Sequence, residues 1–168
     1  MMDLDIPERL VPVRDKIDKF VRSEVDPLTQ EYFDQVGVGG DRWTLNDRQN
    51  EIMDGLKAKA KEAGLWNFFL PASQGGAGVS NLEYAHLAEA MARNPIASEV
   101  FNCAAPDTGN MEVIERYGSD AQKKEWLEPL LDGKIRSAFA MTEPGVASSD
   151  ATNIATRAIL EGDEWVIN

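Results

Sequence analysis

Apolar residues in the first thirty-odd positions recur at three- and four-residue intervals. Leu10, Val13, Ile17, Phe20 and Val21 therefore share one face, and the spacing predicts a helix over residues 7–33. Pro27 falls inside this pattern, where its missing N–H and its ring predict a kink or a restart. The stretch DQVGVGGDRW is glycine-rich and aperiodic and reads as a loop. A second helix is predicted over 46–63, with Ile52, Leu56 and Ala60 in line and Gly64 as its stop. In GLWNFFLPASQGGAGVS an apolar head, expected to pack as an extended strut, precedes a Gly-Gly-Ala-Gly turn. Ser80 and Glu83 stand at capping-box spacing and open a third helix to about Arg93. The nearly uncharged run 96–105 predicts a buried helix. Pro106-Asp107-Thr108 can cap another, to Tyr117, closed by Gly118. Ser119 and Gln122 repeat the capping box, and their helix ends near Leu131, before Asp132-Gly133.

The period changes at Lys134. Residues 135–142 and 152–160 read as strands, and Gly162-Asp163 before Trp165-Val166-Ile167 is a two-residue hairpin signal. The fold class is α+β: an all-α helical N-terminal domain over 1–133, then the first strands of a β domain over 134–168. Three strands, the last of them short, are too few to close a sheet with a hydrophobic face. The β domain is therefore expected to be truncated.

Composition narrows the function classes. With 17 basic against 29 acidic residues the net charge is −12, which argues against nucleic-acid or anionic-membrane binding. The single cysteine, Cys103, excludes an internal disulfide framework and suits a reducing compartment. The acidic start MMDLDIPERL lacks the basic character of a signal or transit peptide, and no apolar run reaches the ~18 residues of a membrane span. A cytoplasmic location, in a bacterial cytosol, is the expectation.

Most candidate chemistry has a plain explanation. His86 stands alone among histidines, near Glu83 and Glu89, and reads as a solvated helix-face residue rather than a metal ligand; no metal site is expected. Cys103, in the apolar EVFNCAA, has no basic neighbour to activate it and reads as core. QGGAG lacks the Gly-Lys-Ser/Thr ending of a phosphate loop. DAQKKEWLEP reads as an outer helix face. The loop AMTEPGVASSD differs from these. It offers the Thr142, Ser148 and Ser149 hydroxyls together with amides around Gly145, a pattern that suits a polar, phosphate-bearing ligand but also an ordinary hydroxyl-rich turn.

MTEPGVASSDATNI resembles the flavin signature of the acyl-CoA dehydrogenase family. LPASQGGAGVSNLEYAHLAEAMAR and RYGSDAQKKEWLEPLLDGKIRSAFAMTEP resemble the family's segments in matching order. FNCAAPDTGNMEVIERYGS and the long form of the turn are most similar to the subgroup of family members ten and eleven. The turn departs from the general pattern by one extra residue, with Ser148 where the family has Gly. Alignment on Thr142-Glu143 and on Ser149-Asp150 implies the following roles. Phe139 would lie against the flavin of FAD and the acyl cleft, and the Met141 and Thr142 backbone with the Thr142 hydroxyl would bond the pyrimidine edge. Ser149, or Ser148 in the alternative register, would meet the FAD pyrophosphate or the pantetheine arm of the acyl-CoA substrate.

The implied activity is fatty-acid β-oxidation chemistry: removal of an α-proton from an acyl-CoA and passage of a β-hydride to FAD, giving a trans-2-enoyl-CoA. Electrons would leave to an electron-transferring flavoprotein or similar acceptor, from a homodimer or homotetramer at full length. An acyl-CoA oxidase or nitroalkane-oxidase-like flavoenzyme is the alternative on the same fold, and a non-catalytic helical interaction fragment is another. The family's glutamate base belongs to a C-terminal helical domain outside this sequence. No catalytic residue is therefore expected in this chain, which alone would be inactive, and Glu143 is read as a structural member of the turn.

Overall fold

Two prolines set inside helical sequence shape the first and last helical runs. The computed structural model describes residues 5–70 and 78–168. α1 (Val11–Phe20) continues through a π turn, Val21–Val25, into α2 (Asp26–Asp34). Pro27 cannot donate to the helix ladder, and its ring conflicts with the carbonyl one turn back. The wider turn, in which the Asp26 N–H reaches Val21 O, accommodates both. The same device recurs before Pro129: α7 (Asp120–Gln122) passes through a π turn, Lys123–Leu127, into α8 (Glu128–Leu131). The expected kink at Pro27 is thus a widened turn.

α3 (Asp47–Glu62) is opened by a capping box between Asn46 and Gln49, and Gly64 at φ +67° lies just beyond its end. α4 (Asn81–Met91) carries the Ser80–Glu83 box and α7 the Ser119–Gln122 box, as their spacing predicts. α6 (Asp107–Tyr117) ends at Gly118. Ile17, Phe20, Ile52, Leu56, Leu87, Met91 and Phe101 meet in one buried cluster. Phe101 sits at its centre, fully buried, with its ring 5.4 Å from Phe20 and 6.2 Å from Phe68. The apolar head of the 64–70 segment joins this core through Leu65, Phe68, Phe69 and Leu70. The turn expected at 74–78 lies, apart from Gly78, outside the described residues.

Within the helical region two elements differ from expectation. In the run 96–105 only α5 (Ala97–Val100) is helical, because Asn102 takes φ +54°. Its side-chain amide donates to Asn67 Oδ1 at 2.7 Å and to Leu130 O at 2.9 Å, long-range bonds that a continuing helix would forfeit. Asp107 does not cap α6 with its side chain. It turns instead to Arg136 and Ser137.

The chain divides into two compact units, Met1–Ser137 and Ala138–Asn168. The second holds one antiparallel hairpin, β1 (Ala158–Glu161) and β2 (Glu164–Ile167), with Ile159 opposite Val166 and Leu160 opposite Trp165. Gly162, at φ +69°, supplies the left-handed conformation its two-residue turn requires. Residues 135–142 form no ladder among the described residues, and within 152–160 the strand begins only at Ala158. Strand pattern alone does not make a strand without a partner to pair with. The architecture is a helical domain followed by the start of a β domain.

Candidate functional site

The turn at 139–156 is built around two side chains that the sequence presents as loop polar residues. Glu143 reaches across the turn to accept from Ala155 N and Thr156 N, both at 3.0 Å, and from Thr156 Oγ1 at 2.6 Å. The Thr156 hydroxyl, followed by the Thr156 and Ala155 amides, holds the Glu143 carboxyl below its ordinary range. Ser148, 3 % exposed, lies inside the turn. Its hydroxyl donates to Met141 O and accepts from Glu143 N at 2.9 Å. Asp150 closes the far end, accepting from Thr152 N at 3.0 Å and Thr152 Oγ1 at 2.7 Å.

What the turn leaves outward is a donor set. Thr142 is exposed, and neither its amide nor its hydroxyl has a partner among the described residues. Ser149 is exposed beside the buried Ser148. A Cβ added at Gly145 would meet nothing within 4 Å, so the backbone there is open to approach. Phe139 is 62 % exposed, and Met141 donates its N–H to Phe139 O at 3.0 Å. Free N–H and O–H donors beside an exposed aromatic plane suit a flat ligand whose edge carries acceptors.

In the helical unit, Asp107 gathers the chain's exit. Nearly fully buried, it accepts from Ser137 N at 2.7 Å, from Ser137 Oγ at 2.6 Å and from Arg136 Nε. Arg136 also reaches Glu99 at 2.6 Å, and Lys57 meets the same glutamate at 3.2 Å. Burial pushes the Cys103 thiol up to about 11, in keeping with its reading as core. His86 is half-buried rather than solvated, with its Nε2 shut from solvent and without a partner among the described residues. Among the described residues no group of three His, Cys, Asp or Glu side chains could hold a metal ion, and no helix is long and apolar enough to cross a membrane.

The profile of the acyl-CoA dehydrogenase N-terminal domain matches residues 8–134. The chain belongs to the acyl-CoA dehydrogenase family. Among relatives, mouse acyl-CoA dehydrogenase family member 10 is 47 % identical over 171 residues, covering 96 % of this chain and 16 % of that protein. Probable acyl-CoA dehydrogenase FadE2 of Mycobacterium tuberculosis is 45 % identical over 99 % of this chain and 40 % of its own length. A solved structure of a candidate acyl-CoA dehydrogenase from Mycobacterium abscessus superposes with a TM-score of 0.84 at 49 % identity, over 98 % of this chain and 41 % of that one. The chain thus spans less than half the length of these acyl-CoA dehydrogenase relatives.

Of the residues singled out from sequence, Met141, Thr142, Ser148 and Ser149 converge on one turn, with Phe139 leading into it. Asp107 was not singled out as a long-range acceptor. Its only sequence signal, an acidic residue after proline at a helix start, points to a local cap instead.

Proposed function

We propose that this chain is the N-terminal part of an FAD-dependent acyl-CoA dehydrogenase that converts an acyl-CoA to a trans-2-enoyl-CoA. The observation that carries the reading is Thr142, an exposed residue whose amide and hydroxyl have no partner among the described residues, on a turn that ties its Ser148 and Glu143 side chains inward. That donor set fits the acceptor-rich pyrimidine edge of an isoalloxazine. FAD, when bound, supplies the hydride acceptor. The chain's own residues bind and orient it. The Thr142 N–H and hydroxyl donate to the edge where negative charge collects on reduction, so their attraction is greater for the reduced form. Phe139 offers an apolar plane to the ring system and the acyl group. Ser149 offers a hydroxyl to the pyrophosphate or to the pantetheine arm. Local amides and hydroxyls do this binding, so a net charge of −12 is no obstacle to an anionic cofactor.

No base is assigned within these residues. The Glu143 carboxylate already receives three donors, which suits a structural brace and not a proton acceptor. The full-length protein is proposed to pass its electrons to an electron-transferring flavoprotein-like acceptor and to assemble as a homodimer or homotetramer. The test is to purify the longest native polypeptide that carries this sequence and to identify the cofactor released by denaturation. Stoichiometric FAD is expected. Protein that is folded, carries no flavin and takes none up would refute the reading.

A further inference from the structure

Within residues 138–168 a single side chain is buried, and it is a serine. Burying a hydroxyl is unfavourable unless its hydrogen bonds are made, and Ser148 makes two. It donates to the carbonyl of Met141 and accepts from the N–H of Glu143. Those groups belong to the two peptide units on either side of Thr142. One hydroxyl therefore straddles Thr142 and ties down both of its flanking peptides.

The consequence follows from peptide planarity. In a trans peptide the C=O and N–H point in opposite directions. With Met141 O drawn inward to Ser148, the N–H of the same unit, which is the Thr142 amide, is directed away from the turn. This accounts for an amide, on the exposed Thr142, that has no partner among the described residues. Glu143, tied on its other side to Ala155 and Thr156, keeps the Glu143 N–H from drifting off the serine.

We propose that Ser148 is a positioning residue that aims the Thr142 amide at the flavin, acting through the backbone without touching the cofactor. This rests on the flavin reading above. Alanine at 148 removes both bonds and frees the Thr142 peptides to rotate, and it deprives the Met141 carbonyl and the Glu143 N–H of their partner.

The experiment uses the longest native polypeptide carrying this sequence, as wild type, Ser148→Ala and Ser148→Cys. FAD is titrated into each apoprotein, and the midpoint potential of the bound flavin is measured. Ser148→Ala is expected to weaken FAD binding about 10-fold. It is also expected to shift the potential to more negative values, because a misaimed amide stabilises the reduced form least. Cysteine, a weaker donor and acceptor, should fall between. Wild-type affinity and potential in Ser148→Ala would overturn the positioning role and leave the flavin reading standing. Weaker binding with an unchanged potential would also overturn it, since loosening of the fold alone does not act on the pyrimidine edge. A wild-type apoprotein that takes up no FAD would overturn the flavin reading itself, and this inference with it. Should far-UV circular dichroism show Ser148→Ala unfolded, Ser148→Cys decides by the same criteria.

Discussion

Removing the Asp107 carboxylate should destabilise the helical unit more than any surface ion pair could. Its two oxygens accept three hydrogen bonds, two of them at 2.7 and 2.6 Å from Ser137 and the third from Arg136 Nε. Breaking a buried ionic partner typically costs about 3–5 kcal/mol. Here the Arg136 side chain is 45 % exposed and keeps Glu99 at 2.6 Å, so Asp107→Ala should fall at the lower end, about 3 kcal/mol. That corresponds to roughly 6–12 °C in Tm for a unit of this size. Denaturant unfolding at 25 °C measures it, and a loss under about 1 kcal/mol would show the cluster to be solvent-screened and the reasoning wrong. The pH dependence supplies a second check. Burial raises the Asp107 pKa, but the Ser137 hydroxyl and amide and then Arg136 outweigh it, and the net shift is downward. A lowered folded pKa means the unfolded chain takes up the proton first. The stabilisation is therefore complete above the unfolded value of about 3.9 and is lost as pH falls through the folded one. Asp107→Asn should consequently show a shallower acid limb below about pH 4, and an acid limb identical to wild type would contradict the assignment.

Phe101→Ala empties the centre of the helical core and should cost about 3–5 kcal/mol in chemical denaturation; a loss below about 1 kcal/mol would mean that Phe20 and Phe68 collapse into the space. Glu143→Gln places an amide against three donors, so hydrogen exchange at the Ala155 and Thr156 amides should accelerate, and unchanged exchange would remove Glu143 as the brace of the turn. Cys103, buried and with its thiol raised to about 11, should resist aromatic disulfide reagents at pH 8 in the native protein and react stoichiometrically once unfolded; rapid native labelling would contradict its burial.

Features with a local cause were legible in the sequence. The Ser80–Glu83 and Ser119–Gln122 boxes satisfy orphan amides within one turn, and Gly64 and Gly162 supply left-handed conformations their neighbours demand. What escaped has distant partners. Asn102 ends the 96–105 helix early because Asn67 and the Leu130 carbonyl reward it for leaving. Asp107 sits at a cap-like position yet bonds residues thirty positions on. Residues 135–142 carry a strand pattern, but pairing is a property of two segments and not of one. The turn itself stood out by its Thr142, Ser148 and Ser149 hydroxyls, whereas Phe139, Met141 and the role of each residue came through resemblance. Their division of labour, Ser148 and Glu143 inward and Thr142 and Ser149 outward, depends on which hydroxyl is buried, and adjacent serines look alike in sequence.

The proposed acyl-CoA oxidation is measured by adding a saturated acyl-CoA, anaerobically, to the flavin-loaded full-length protein. The visible absorption band of the flavin is expected to bleach with formation of one trans-2-enoyl-CoA per flavin. An FAD-loaded protein whose spectrum is unchanged across acyl chains of every length would contradict it.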